Sequence, residues 1–225
     1  MRRFLIPLVG IAAAAALHAC HSGTGELDCL DAGASAYDTR LPGDTSVSFA
    51  WPGGFQPVRV YAEPVGSLQA NTAASMQLWL GAFRCGELSL QSWPDSTTAD
   101  IVVRNPASLP GPPTTAPVAA STGDSLHACF GRSDIQVDTV NNVLVRPIRS
   151  YVAPSPGTID TASIESCYHF VTAHEIGHAL GLLTESPDTN DIMNAVPRRA
   201  VLSADDRFTI QLLYHTVVSV RPSSR

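Results

Sequence analysis

Lysine is absent from this 225-residue chain, and all 14 of its basic residues are arginine. Charged residues make up only 15% of the chain, aromatic residues 7%, and no stretch is strongly basic. The formal net charge is -6, so no nucleic-acid-binding surface is expected. A hydrophobic content of 44% over this length is enough for one folded domain with its own core, and it excludes a disordered chain.

The apolar run near the N-terminus, residues 4–17, is shorter than the roughly 20 residues that span a bilayer. Two arginines precede it and Leu17-His18-Ala19-Cys20 ends it, an order that predicts an export signal over residues 1–19. The ending resembles the lipobox of bacterial lipoproteins. That resemblance implies cleavage before Cys20, a lipid on Cys20, and a membrane-anchored protein of the bacterial cell envelope (outer membrane or periplasm). The alternatives are ordinary cleavage with secretion and a retained anchor.

The cysteines lack the C-x2-C spacing of compact zinc fingers. Without Cys20, four remain, at positions 29, 85, 129 and 167. An even set in an exported chain predicts two disulfides, although some of the four could be buried free thiols. Three pairings are possible, and the spacing does not choose among them.

The pattern along the chain predicts a tether and N-terminal extension (20–56), one domain (57–215) and a tail (216–225). Within the domain, alternating or apolar runs predict strands and longer periodic segments predict helices. The predicted strands are 57–62, 87–93, 99–104, 135–140 and 143–150, and the predicted helices are 67–84, 163–180 and one that ends near 214. Asn141-Asn142 favours a hairpin turn, and Ser203 with Asp206 favours a helix cap. This order predicts an α+β fold with a mixed sheet.

The motif His174-Glu175-Ile-Gly-His178 places two imidazoles one turn apart on one face of the predicted 163–180 helix. Both could bind one metal ion, and Zn²⁺ is the expected cofactor. Glu175 can reach a metal-bound water and accept its proton as the water attacks a carbonyl. Two surface histidines on an amphipathic helix are the alternative. The apolar residues around the motif disfavour it, because buried polar groups need partners.

Gly181 lies seven residues after His174, where a glycine allows the helix to end and the chain to reverse. With Met193 further on, these residues resemble the metzincin zinc metalloproteases, and in particular their matrixin-like bacterial branch. The resemblance covers about residues 57–215. It implies a single zincin-like domain with an active-site helix, a methionine turn at Asp191–Asn194 and a C-terminal helix. It also implies zinc-dependent endopeptidase activity on a peptide or protein substrate that lies along an edge strand, here 101–104. A monomer is expected.

The third zinc ligand departs from the family's pattern, because its histidine position holds Thr184, a weak ligand. Glu185, one residue later, is a competent oxygen donor and the first candidate. Asp188 and Asp191 are further candidates, although Asp191 is expected to brace the methionine turn, and a site without a third protein ligand stays open.

Asn194 is a second departure, since related sequences often carry tyrosine there. The sequence therefore keeps three functions open. The first is a zinc endopeptidase, and the second is a catalytically inactive metzincin-like binding module on the cell surface. The third is a zinc hydrolase that acts on a non-peptide amide.

Overall fold

The computed structural model describes residues 29–30, 35–40, 48–52, 55–105, 129–138, 140, 143–155, 160–215 and 221–222. Along the chain these residues form β1 (Val58–Ala62), α1 (Leu68–Leu80), β2 (Leu90–Ser92), β3 (Ile101–Arg104), β4 (Cys129–Asp138), β5 (Val143–Pro154), α2 (Thr161–Ala179), α3 (Ala204–His215) and β6 (Arg221–Pro222). The predicted α+β architecture is confirmed. The largest boundary difference is that β4 begins six residues before the predicted strand, and β5 ends four residues later and α1 four residues earlier than predicted.

The described strands form one mixed sheet in the order β2-β1-β3-β5-β4, and β6 pairs with the start of β5. All neighbours are parallel except β4 and β5, which form an antiparallel hairpin with Asp138 opposite Val143. The hairpin agrees with the sequence, while the predicted turn residues Asn141 and Asn142 lie outside the described part of the chain. The long connection predicted at 105–125 also lies outside it, apart from its first residue.

The prediction of 101–104 as the edge strand is wrong. β3 lies between β1 and β5, parallel to both, and its Ile101, Val102 and Val103 are buried. A continuous apolar run is typical of a strand covered on both faces, so the run itself pointed to the middle of a sheet. Among the described strands, β4 is the edge on the side of α2, because it pairs only with β5.

Helix α2 packs against β4, β5 and α1. It begins at Asp160, whose side chain accepts hydrogen bonds from the backbone N–H and the hydroxyl of Ser163 (2.8 and 2.6 Å). A disulfide between Cys129 and Cys167 ties the start of β4 to this helix, with the two Cα atoms 5.3 Å apart. The edge strand and the helix are therefore covalently linked.

The second disulfide joins Cys29 to Cys85, so the structure selects one of the three pairings that the sequence left open. Cys29 belongs to the predicted N-terminal extension, and so do Phe49 and Trp51, which are 0% and 1% exposed within the core. The Trp51 indole donates a hydrogen bond to the carbonyl of Ala179 at the end of α2 (2.9 Å). The boundary at residue 57 stays a prediction, but part of the predicted tether packs as domain core.

The predicted signal peptide and Cys20 lie outside the described residues. Within the described part of the chain, no helix combines the length and the apolarity needed to cross a membrane.

Replacement of Trp51 by alanine tests whether the segment before residue 57 belongs to the folded core. We expect Trp51→Ala to lower the free energy of unfolding by about 3–5 kcal/mol, because a fully buried aromatic side chain and its hydrogen bond are lost. Chemical denaturation measures the change. Val201→Ala is the control, since Val201 is 69% exposed and its truncation should alter stability by less than about 0.5 kcal/mol. A loss below about 1 kcal/mol for Trp51→Ala would contradict the assignment.

Candidate metal centre

His174 and His178 lie on the last two turns of α2 and are 2% and 6% exposed. The Nδ1 atom of His174 lies 2.8 Å from the carbonyl oxygen of Ile192, and that of His178 lies 2.5 Å from that of Leu182. A carbonyl oxygen can only accept, so both Nδ1 atoms must carry the proton. When the rings are neutral, both Nε2 atoms are then lone-pair donors. This is how metal-binding histidines are commonly oriented by their outer hydrogen bonds.

Glu185 completes a group of three possible ligands. Its Oε2 lies 3.4 Å from Nε2 of His174, and its Oε1 lies 3.5 Å from Nε2 of His178. Within the described residues, Nε2 of His178 and Oε2 of Glu185 are buried and have no hydrogen-bond partner. The three ligand atoms lie within 4.8 Å of one another and could hold a metal ion. Two neutral imidazoles with one carboxylate are a donor set that suits zinc.

The loop after α2 brings Glu185 back to the helix. Gly181 has φ +113°, a conformation that side-chain-bearing residues rarely adopt, and it reverses the chain as the sequence predicts. The next residues return along the histidine face. Thr184 points elsewhere, because its hydroxyl donates a short hydrogen bond to the carbonyl of Asp38 in the N-terminal segment. Thr184, at the family's third-ligand position, is therefore bonded to the N-terminal segment. Its neighbour Glu185 faces the histidines.

Ser186 fixes this loop against the predicted methionine turn. Its backbone N–H donates to the carbonyl of Met193 (2.7 Å), and its carbonyl accepts from the Asn194 side-chain amide (3.0 Å). Its hydroxyl donates a short hydrogen bond to the Asp191 carboxylate. Asn194, which departs from the family pattern, thus closes the loop next to Glu185.

The other two candidate acids do not join the group. Asp191, which the sequence predicts to brace the methionine turn, is buried and accepts a hydrogen bond from the Ser186 hydroxyl, which links the turn to the loop. Asp188 is exposed and accepts hydrogen bonds from the backbone and side chain of Asn190 (2.8 and 3.0 Å). Within the described residues, the cluster around the two histidines contains neither aspartate.

Met193 is fully buried beneath the two histidines' helix. It packs against Gly177, where a Cβ atom would overlap the Met193 sulfur and lie 2.7 Å from Trp79 Cζ2. A larger residue at position 177 would therefore push the methionine turn away from α2. The motif pattern alone did not reveal this requirement, because it leaves position 177 free.

Asp206 holds the same turn from α3. Ser203 and Asp206 form the predicted reciprocal cap, with hydrogen bonds of 2.8 and 3.2 Å. The Asp206 carboxylate also accepts from the backbone N–H of Ile192 (2.8 Å) and from the hydroxyl of Tyr37 (2.9 Å). The sequence indicated the cap only; the links to Ile192 and Tyr37 arise from tertiary contacts.

Glu175 is 1% exposed and faces β4. Its Oε2 accepts a hydrogen bond from the Ser133 hydroxyl (2.7 Å), and Oε1 lies against Gly131. Sequence reasoning found Glu175 but missed Ser133 and Gly131, since nothing in the order of residues along the chain links the strand to the motif.

The charges of the site shift its pKa values in the metal-free protein. Burial lowers the pKa of His174, but Glu185 and Glu175 outweigh it and raise the pKa to about 9. Burial raises the pKa of Glu185, but the two histidines outweigh it and hold the pKa at about 2. Burial raises the pKa of Glu175, and the nearby histidines oppose that rise.

A second cluster of possible ligand atoms contains Cys29, Glu87 and His215. Cys29 is bonded to Cys85, so its sulfur is not a thiolate ligand in this structure. Glu87 and His215 are hydrogen-bonded to each other (2.8 Å). The histidine group on α2 is therefore the stronger candidate.

A helix carrying two histidines and a glutamate, a turning glycine and a buried methionine beneath them form a site of the metzincin type. Residues 127–215 match the family model described as Matrixin, so this segment is similar to the matrixin-like metzincins, a metalloprotease class. The crystal structure of myroilysin is similar at 16% identity, covering 85% of this chain and 96% of that chain. Its TM-score of 0.42 is too low to bear on the site. No curated protein matches the chain.

Removal of the Glu185 carboxylate tests the choice of third ligand. We expect Glu185→Ala to weaken zinc binding by at least about 100-fold, because a direct ligand contributes more than the outer partners, whose loss costs about 10- to 100-fold. Competition with a chelator measures the affinity. Asp188→Ala is the matched control from the same loop and should leave the affinity unchanged. Equal losses in the two variants, or a loss in Asp188→Ala alone, would contradict Glu185 as the ligand.

Proton release on metal binding follows from the pKa of His174. With a pKa of about 9, His174 is protonated at pH 7 in the metal-free protein, and zinc needs its neutral Nε2. We expect about one proton to be released per zinc at pH 7 and fewer above pH ~10. Calorimetry in two buffers of different ionisation enthalpy measures this number. Glu185→Gln removes the main charge that raises this pKa and should reduce the release. Equal zinc-binding enthalpies in the two buffers would show that the wild type releases no proton, which would contradict a protonated His174.

Proposed function

We propose that this chain is a zinc-dependent endopeptidase in which His174, His178 and Glu185 bind the metal and Glu175 is the general base. The observation that carries the proposal is the convergence of three buried or half-buried ligand atoms on one point. Both histidines are held there by backbone carbonyls. The matrixin match over the same residues supports a peptide or protein as the substrate.

When bound, zinc supplies an electrophilic centre that lowers the pKa of water toward neutrality. The remaining chemistry belongs to the side chains. The Glu175 carboxylate accepts the proton of the attacking water, and the resulting carboxylic acid donates it to the leaving amine. The buried position of Glu175 keeps bulk water from competing for that proton. The Nδ1–H bonds of the histidines keep their rings fixed while the substrate reacts.

The substrate would bind along β4 as an added strand, because β4 is the sheet edge beside α2. This replaces 101–104, which the sheet encloses. Phe130 on β4 is 37% exposed and offers an apolar contact for a substrate side chain. Main-chain hydrogen bonds to a sheet edge suit a peptide and would not be made by a small non-peptide amide.

The cellular setting is part of the same proposal. The lipobox-like ending at Cys20 would anchor a monomeric domain to a bacterial membrane outside the cytoplasm, and secretion without a lipid is the alternative. The two disulfides support an oxidising compartment.

An inactive binding module is the second candidate function. Asn194, the residue after the methionine, favours this function. Its side chain donates a hydrogen bond to the carbonyl of Ser186 in the loop and has no hydroxyl to offer a substrate. Such a module would bind a partner equally well with and without His174.

The decisive experiment compares the mature protein with Glu175→Gln on casein and on a peptide library. We expect Glu175→Gln to lower kcat/KM about 100- to 10,000-fold, because the general base is lost while the metal ligands stay. Zinc stoichiometry should remain one per chain in both. Glu165→Gln is the control, since Glu165 is an exposed carboxylate on the same helix. A chelator should abolish the wild-type activity, and zinc should restore it.

Two outcomes would overturn the endopeptidase assignment. The first is a zinc-loaded wild type that cuts no peptide, which favours the binding module. The second is cleavage of a non-peptide amide alone, which makes the protein a zinc hydrolase of another class.

A further inference from the structure

Ser133, on β4, contacts the candidate base at two points. Its hydroxyl lies 2.7 Å from Oε2 of Glu175 and 3.2 Å from the Glu175 backbone carbonyl. It also lies 2.8 Å from the hydroxyl of Ser150, which stands directly opposite on β5. The two strands therefore place two linked hydroxyls beside one buried carboxylate, and only the Ser133 hydroxyl contacts it.

A single serine hydroxyl has one proton to donate. The Glu175 carboxylate is the strongest acceptor in reach of Ser133, because hydrogen bonds to a charged oxygen are shorter and stronger than neutral ones. The Ser133 oxygen is then an acceptor toward Ser150, whose hydroxyl donates to it. The donor order is Ser150 to Ser133 to Glu175, which fixes the rotation of both hydroxyls.

Gly131 leaves space for the other carboxylate oxygen. It lies two residues before Ser133, on the same face of β4. A Cβ atom at position 131 would overlap Oε1 of Glu175 and the Val171 side chain. The strand thus holds Oε2 with a hydroxyl and leaves room for Oε1. Within the described residues, no hydrogen-bond donor engages Oε1.

We propose that Ser133 is a positioning residue that fixes Oε2 of Glu175, so that Oε1 is the oxygen that takes the proton from the attacking water. Ser150 acts on Glu175 only through Ser133. This inference rests on the proposed function of Glu175 as general base. It also assigns a role in the reaction to strand β4, in addition to the proposed substrate contact.

A merely structural hydroxyl would behave differently. Its loss would lower stability and leave the kinetics of the folded, zinc-loaded protein unchanged. A positioning hydroxyl acts on the chemical step, so its loss lowers kcat while KM and zinc content stay the same. A carboxylate misplaced by about 1 Å can cost about 100-fold in rate.

The test measures kcat, KM and zinc stoichiometry for four variants. We expect Ser133→Ala to lower kcat about 10- to 100-fold with KM within about twofold. Ser133→Thr keeps the hydroxyl and should recover most of the loss, since a β-branched residue suits a strand. Ser150→Ala should lose less than Ser133→Ala. Ser75→Ala is the control, because Ser75 is a buried serine of α1 bonded to the carbonyl of Asn71, away from the site (2.7 Å).

Crystal structures of the zinc-loaded wild type and of Ser133→Ala provide a readout that needs no substrate. We expect the Glu175 carboxylate to shift by about 1 Å or to lose its single orientation in the variant. A kcat for Ser133→Ala within twofold of the wild type, or an unmoved carboxylate, overturns the positioning role. A wild type that cuts no substrate refutes the endopeptidase instead, and the crystal structures still decide whether Ser133 positions Glu175.

Discussion

The site depends on two hydrogen bonds that run from the histidine rings to backbone carbonyls, His174 to Ile192 and His178 to Leu182. Each fixes a ring orientation and a tautomer, so both Nε2 atoms face one point. Each also requires the chain beyond α2 to return to the helix. Gly181 reverses the chain after α2. Asp206 on α3 accepts a hydrogen bond from the backbone N–H of Ile192 and so keeps the returning chain next to the helix. The orientation of the two histidine rings therefore depends on the path of the chain after α2.

That path explains why Glu185, one residue after the family's ligand position, is the candidate third ligand. The two neighbouring side chains point to different partners. Thr184 is bonded to the carbonyl of Asp38, and Glu185 faces the histidines. The Asn194 amide holds the following residue in place. Thr184 and Asn194 both make hydrogen bonds that hold the loop on which Glu185 faces the histidines.

The sequence predicts local features well, because a few neighbouring residues determine them. Helical spacing placed His174 and His178 on one face, and Ser203 with Asp206 marked the start of α3. Features set by distant contacts were missed. The central position of β3 depends on which strands flank it, and the disulfide pairing depends on the finished fold. Trp51 lies in the core although its neighbours in the sequence are rich in turn-forming residues. Its indole is hydrogen-bonded to a carbonyl at the end of α2, a contact that the local sequence does not reveal.

The edge strand and the helix form the candidate base site together. A carboxylate as buried as Glu175 loses its hydration, and without a donor that loss would cost several kcal/mol. Ser133 supplies the donor from β4, and the Cys129–Cys167 disulfide ties the start of that strand to α2. The strand that would receive the substrate is therefore also the one that orients the base. A shift of β4 along the helix would disturb both, so the distance between the proposed base and a bound peptide depends on how β4 packs against α2.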